Sequence, residues 1–372
     1  MSGGVLLTGS AVRTCLGDGD ATFAALLRGE SGIGPLRYAD PDRLNVRHGF
    51  HIEESGQGPD QERPFRASGW LAACVTAALA QAGVDPARQR VAVIVGTGLR
   101  ELRAVERSTD VPPHRLHFAA VLRDAVPGLA DIVTVSNACS AGGHALALAQ
   151  DLVQLGEADA VVAAGADAMT ESMLAMIGRV ADGPAAALRP FDASRTGTLL
   201  GEGAAAVVVV PEGSSGRPLA RLLGTGLSCD AHHETAADRD GIARAMADAY
   251  ARAGRDPAQV DLVVAHGTGT RLNDALESEL LLGTVGVGPL VTAVKGAVGH
   301  MSGAAALVSL DVALRCLATG MVPPVTGLER ILDEGRGLRF VAGAPAAAAV
   351  RLAQVDAFGF GGVNAVSLVE AA

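Results

Sequence analysis

Apolar runs of six or seven residues punctuate this chain: VAVIVG (91–96), AVVAAG (160–165), AAAVVVV (204–210) and DLVVAHG (261–267). Near-continuous rather than alternating hydrophobicity predicts strands covered on both faces. Between such runs lie small-residue stretches with helical spacing, for example AGGHALALAQDLV (141–153). The pattern predicts an α/β fold.

One pattern occurs twice. AQAGVDPARQRVAVIVGTG (80–98) and ARAGRDPAQVDLVVAHGTG (251–269) align without a gap and match at 10 of 19 positions. Each reads as a helix end, a D-P turn, a buried strand and a G-T-G loop. A weaker pair, VTVSNACSAGGHALAL (133–148) and VTAVKGAVGHMSGAAAL (291–307), runs from a strand through small residues into an Ala-rich helix. Two matches in the same order imply a duplicated unit, with halves 1–212 and 213–372 meeting near the polar stretch PEGSSGRP (211–218). The expected architecture is layered, with helices on both sides of two related sheets and the halves forming one duplicated domain.

The duplication also predicts a site. If the N-A-C-S-A-G-G turn and the K-G-A-V-G-H turn are equivalent loops, Cys139 and His300 face each other. Cys139 follows a strand and opens a helix, where backbone N–H groups and the helix dipole are expected to stabilise a thiolate. His266 ends the strand DLVVA, and His300 ends G-A-V-G-H, with the hydroxyls of Thr268 and Thr270 nearby. Lys295 in AVKGAVGH is the only lysine; every other positive side chain of that class is arginine. An ammonium is a compact point charge that suits a tight polar cluster and titrates when buried. Metal-like spacing is absent, so no metal is expected.

Composition narrows the class further. Apolar residues make up 49% of the chain, aromatics 3%, and glycine occupies 47 positions, which fits tight turns between Ala/Val/Leu-packed elements. A net charge of −10 argues against nucleic acid as the main partner. Arg63, Arg66, Arg100, Arg103, Arg107, Arg115 and Arg123 form a local basic cluster on which an acidic partner is expected to dock. Five cysteines (15, 74, 139, 229, 316) lack C-x-x-C spacing and are odd in number, predicting a reduced cytoplasmic protein. No run reaches 18 uncharged apolar residues, and MSGGVLLTGSAVR has no basic lead, so neither a membrane span nor a signal peptide is predicted.

In order along the chain, SNACSAGG, AHGTGTRLND, VKGAVGH and FGFGGVN resemble the motifs of elongating β-ketoacyl-acyl carrier protein synthases of the thiolase superfamily. VLLTGSAVRTCLGDG, LLRGESGIG, VGTG and RPFDASRTGTLLGEGAA extend the similarity across nearly the whole chain. The resemblance implies a five-layered α-β-α-β-α fold and a homodimer, with a heterodimer with a ketosynthase-like subunit as the alternative. It also implies an acyltransferase without cofactor, whose substrates ride on the phosphopantetheine of an acyl carrier protein. By the same resemblance Cys139 takes the acyl group as a thioester, and His266 and His300 bind the malonyl thioester carbonyl. The backbone N–H groups of Cys139 and Phe360 meet the oxyanion, and Phe360 gates the pocket. Thr268 and Thr270 hold the pantetheine arm. Lys295 tunes the His300 side, while Asp274, Glu277 and Asn364 support the network.

The family's usual glutamate nine positions after the second histidine is Ser309 here. Asp311 points about 200° away on a helix, so Asp274 or Glu277 is expected to neutralise Lys295 instead. G-G-T-N reads G-G-V-N at Val363, Arg271 replaces a common proline, and the segment from Gly98 to Cys139 is short. These departures bear on chain length, partner choice and decarboxylation. The leading expectation is a decarboxylating ketosynthase of fatty-acid or polyketide synthesis. The alternatives are an acyltransferase that forms no C–C bond, and a chain-length-factor-like subunit, which typically lacks the cysteine. A thiolase would need a second cysteine in the C-terminal glycine loop, and FGFGGVN has none.

Overall fold

The computed structural model describes residues 5–54, 62–180 and 183–372, so the first four residues of the N-terminal stretch read above lie outside it. In the first half, strands β1 (Val5–Thr14), β2 (Val91–Gly96), β3 (Asp131–Val135), β4 (Ala160–Asp167) and β5 (Gly203–Pro211) pair in the order β3-β2-β4-β5-β1. In the second half, β6 (Ala220–Cys229), β7 (Leu262–Val264), β8 (Leu290–Thr292), β9 (Arg339–Phe340), β10 (Leu352–Gly359) and β11 (Val363–Glu370) pair as β9-β8-β7-β10-β11-β6. Apart from the extra β9, the two orders are the same. β2 and β7 each run parallel to both of their neighbours, and the last pairings are antiparallel. The sets join where the start of β1 meets β6, from Val5↔Leu222 to Leu7↔Ala220.

Five helices complete the layers: α1 (Arg66–Ala82), α2 (Ala141–Gln154), α3 (Arg239–Ala253), α4 (Arg271–Thr284) and α5 (Ala305–Thr319). α2 packs on β2 and β4 of its own half and on β6 of the other; α5 packs on β10 and on β5. Their side chains share one core with inward strand residues such as Ile94, Val161, Val207, Val264 and Val355. On the opposite faces, Val91, Val93 and Val95 pack beneath α1, and Val263, Val366 and Leu368 beneath α3 and α4. The result is α-β-α-β-α. Strand residues pack on both faces, which is why their sequences read as unbroken apolar runs.

The repeat is visible in detail. α1 and α3 both end at a left-handed glycine, Gly83 (φ 66°) and Gly254 (φ 59°), before the D-P turn leads into β2 or β7. The loop pairing needs correction. The 3₁₀ turn Ala138–Ser140 before α2 is matched by Ser302–Ala304 before α5, just after His300. An added short helix, Lys295–Val298, displaces the K-G-A-V-G-H segment from strict equivalence. Ser302–Thr319 is long and apolar enough to cross a membrane, yet 78% of it is buried, and α5 belongs to the central layer.

Candidate active site

The loops that matter lie at the C-terminal ends of the parallel strands of both halves, where α/β proteins gather their chemistry. Cys139, His266, His300, Thr268, Thr270, Phe358, Phe360 and Asn364 line one cavity of about 340 Å³. Its far wall is apolar, with Val46, Met173, Met176, Ile177 and Leu200. The rings of His266 and His300 meet edge to face at 5.5 Å between centroids.

Cys139 sits in the turn after β3, entered through Ala138 at φ 49°, a left-handed conformation unusual for a residue with a side chain. The matching Ser302 has φ 46°. Close contact between the halves dictates small residues here: a Cβ on Gly303 would lie 2.4 Å from the Thr97 Cα. The thiol is buried, and burial pushes it up to about 11, against the pull of Lys295 and the N–H groups of Phe360 and of Cys139 itself. Burial thus opposes the thiolate stabilisation expected of the helix start. The backbone N–H groups of Phe360 and Cys139 are the two on this side that favour charge on the sulfur.

Asp167, at the end of β4, ties the loop after β2 to the other half. It accepts from Thr97 Oγ1 at 2.6 Å, the N–H groups of Gly98 (2.9 Å) and Leu99 (2.8 Å), and Gly303 N–H (2.7 Å). Burial raises its carboxyl to about 6 against these bonds. The sequence reading missed it, although a carboxylate closing the apolar run AVVAAGAD is a legible signal.

The His266 loop is held by one face of α4. Glu277 accepts from the N–H groups of His266 (2.6 Å) and Gly267 (2.9 Å) and from Asn273 Nδ2 (3.2 Å). Asp274 accepts from the N–H groups of Thr268 (3.0 Å), Gly269 and, across the chain, Phe191 (2.7 Å). Thr270 caps the helix through Asn273 N–H, and its hydroxyl lies 2.9 Å from that of Thr268. Asn364 is tied through Nδ2 to Gly362 O (3.0 Å) and Ser228 Oγ (3.2 Å), bracing the F-G-G turn; Phe360 is 38% exposed at the cavity mouth.

Lys295 is 1% exposed, and its placement corrects one expectation. It serves the other histidine: Nζ donates to His266 Nδ1 at 3.2 Å and to the His266 carbonyl oxygen. Among the described residues no carboxylate lies in ion-pair contact with it; Glu277 and Asp274, whose oxygens accept from backbone N–H groups, act on it through space. Asp311 accepts from Ser10 Oγ (2.6 Å) and Arg315 Nε (2.7 Å), well engaged elsewhere. Burial pulls the Lys295 ammonium down, and Glu277 acts against that pull.

Both histidines are held neutral, chiefly by burial. Their tautomers follow from their partners. His266 Nδ1 accepts from the Lys295 ammonium, and His300 Nδ1 accepts from Ser302 N–H at 3.2 Å. The ring proton of each then sits on Nε2, giving two neutral, buried N–H donors.

The arginine cluster divides. Arg66 is 4% exposed, bidentate to Glu202 (2.7 and 2.9 Å) and stacked over Trp70, so it is unavailable for docking. Arg103 is buried among Glu62, Glu106 and Glu171. Arg63, Arg100, Arg107, Arg115 and Arg123 are exposed, and Arg63, Arg107 and Arg115 line a second cavity of about 570 Å³. Among the described residues no group of His, Cys, Asp and Glu has the arrangement of a metal site.

Residues 3–213 match the family model of the beta-ketoacyl synthase N-terminal domain, and residues 219–329 that of its C-terminal domain. The 3-oxoacyl-[acyl-carrier-protein] synthase 2 of Mycobacterium bovis is 31% identical over 97% of this chain and 95% of its own length. The protein of the same name from Vibrio cholerae is 29% identical over 97% of each. Among solved structures, the ishigamide ketosynthase/chain length factor superposes with a TM-score of 0.91 at 29% identity over the full length of both chains. A beta-ketoacyl synthase from Burkholderia phymatum, at 24% identity and a TM-score of 0.88, shows the same fold.

Proposed function

Because the chain belongs to the β-ketoacyl synthase family, we propose that it is a ketosynthase catalysing decarboxylative condensation on an acyl carrier protein. The observation that carries this reading is the pair of neutral Nε2–H donors facing the same cavity as Cys139.

In the loading step the Cys139 sulfur attacks the carbonyl of a carrier-bound acyl thioester. Its proton passes to the departing pantetheine thiol, leaving an acyl-cysteine. The oxyanion formed on the way is met by the N–H groups of Cys139 and Phe360. A malonyl thioester then places its carbonyl oxygen on His266 and His300. Breaking the bond to the carboxyl group releases CO2 and leaves an enolate, whose charge grows toward donors already in place. The enolate carbon attacks the acyl carbonyl and expels the Cys139 sulfur, which regains a proton. The product is a 3-oxoacyl thioester two carbons longer. Neutral histidines suit this chemistry, since they donate without first having to be charged in a buried site.

The acyl chain occupies the apolar wall of Met173, Met176 and Ile177, and the pantetheine arm passes Thr268 and Thr270. An acidic carrier docks near the exposed Arg63, Arg107 and Arg115. β3 lies at the free edge of its sheet with Val133 46% exposed, which supports pairing with a second copy of the chain. Release of labelled CO2 from carboxyl-labelled malonyl carrier, dependent on prior acylation and lost in His300→Ala, tests the reaction. An acylated enzyme that transfers its acyl group to an amine or alcohol without CO2 release refutes it in favour of simple acyl transfer.

A further inference from the structure

Asp356 sits in the middle of β10, 1% exposed, in the run LAQVDAFG. Period-two alternation puts Gln354, Asp356 and Phe358 on one face of that strand. Phe358 lies against the His266 ring at 5.4 Å between centroids. One carboxylate oxygen, Oδ1, accepts from Gln354 Nε2 at 2.8 Å, and Gln354 in turn accepts from the Tyr250 hydroxyl of α3. The other oxygen, Oδ2, is buried without a hydrogen-bond partner. A bare buried carboxylate oxygen is costly.

A buried ammonium with a complementary deficit is brought alongside by the strand register: Val264 of β7 pairs with Val355 of β10 on one side and Thr292 of β8 on the other, so Asp356 flanks Ala265, next to His266, and Lys295 follows β8. Lys295 has three N–H donors and gives two contacts, both to His266. Of the three carboxylates that act on it electrostatically, Asp274 and Glu277 are committed to backbone N–H groups, and Asp356 alone keeps an oxygen in reserve.

Resting on the ketosynthase reading, we propose that Asp356 is a positioning residue for condensation, adding to Glu277 and Asp274 a negative charge that helps keep Lys295 an ammonium donating to His266. Without it Lys295 gives up its proton more readily. As an amine it offers His266 Nδ1 a lone pair, the imidazole proton shifts to Nδ1, and Nε2 loses the donor meant for the thioester oxygen. The other titratable groups facing Lys295 are Glu277 and Asp274 on α4, Cys139 before α2, and His266 and His300 in the adjoining loops; Asp356 also faces Glu277 and, through Gln354, Tyr250. The carboxyls of Glu277 and Asp356 are both raised by burial.

Lys295 is the only lysine of the chain, so protein grown on ¹³Cε-lysine reports its titration as one signal. In Asp356→Asn, which keeps the shape and the bond to Gln354, the midpoint moves down by about one pH unit relative to the parent. The alkaline limb of the condensation rate moves down with it, while any change in loading of Cys139 is smaller. Asp356→Ser, which removes the charge with less bulk, serves the same purpose if the asparagine variant does not fold. Coincident lysine titrations in parent and variant overturn the proposal. A parent that never condenses overturns the ketosynthase reading instead, and the lysine signal still decides the role of Asp356.

Discussion

At the scale of single residues, the account rests on a thiol, two neutral imidazoles and one ammonium, each set by burial. With the Cys139 thiol pushed up to about 11, its thiolate fraction rises through the whole neutral range. Alkylation of Cys139 by iodoacetamide in the free enzyme should therefore accelerate about tenfold per pH unit from about pH 7 to about pH 10. A plateau near pH 7, read by peptide mass, would mean that the helix start and Lys295 outweigh burial after all. Lys295 tests size against charge. It fills a closed space behind His266, so an arginine fork has no room to reproduce its two bonds. Lys295→Arg should lower single-turnover condensation on the order of 100-fold, nearly as much as Lys295→Ala, with a smaller effect on loading. Full activity of the arginine variant would reduce this lysine to a mere positive charge. Cys139, His266 and His300 were legible in the sequence because each stands at a strand or turn end in a small-residue setting. Asp356 and Asp167 were not read, because what distinguishes them is burial and partners from distant segments.

Between elements, the case of Arg66 shows where local reading fails. At the start of α1, beside Arg63, it looks like a solvated charge; Glu202, 136 positions away, turns it into a buried anchor between the helix and the segment leading into β5. Breaking such a pair leaves an uncompensated buried charge. Arg66→Ala should cost about 3–5 kcal/mol in urea unfolding, whereas Arg63→Glu should leave stability unchanged and raise the apparent KM for carrier-bound substrate. Equal stability of the parent and Arg66→Ala would contradict the buried-anchor description. The repeat foretold the helix–turn–strand units, and the structure adds the left-handed glycines that end α1 and α3. It mispaired the site loops because the short helix Lys295–Val298 is an insertion that the strand-to-helix pattern absorbs without visible break.

For the whole molecule, duplication explains why one half supplies Cys139 and the other the two histidines of the same cavity. The matched turns 138–140 and 302–304 touch across the central layer, where Gly142 and Gly303 leave no room for a Cβ. The free edge at β3 is where the proposed pairing with a second copy is tested. Val133→Arg on that edge should convert a dimer to a monomer in sedimentation velocity, and an unchanged dimer would place the interface elsewhere.

The central claim is that Cys139 carries the growing chain through a carbon–carbon bond-forming step. The direct measurement is intact protein mass after incubation with an acyl carrier thioester, then again after malonyl carrier is added. The account predicts one acyl adduct, mapped to Cys139 and absent in Cys139→Ala, that disappears as a 3-oxoacyl carrier two carbons longer forms. An adduct on Cys15, Cys74, Cys229 or Cys316, with Cys139 unmodified, would contradict it.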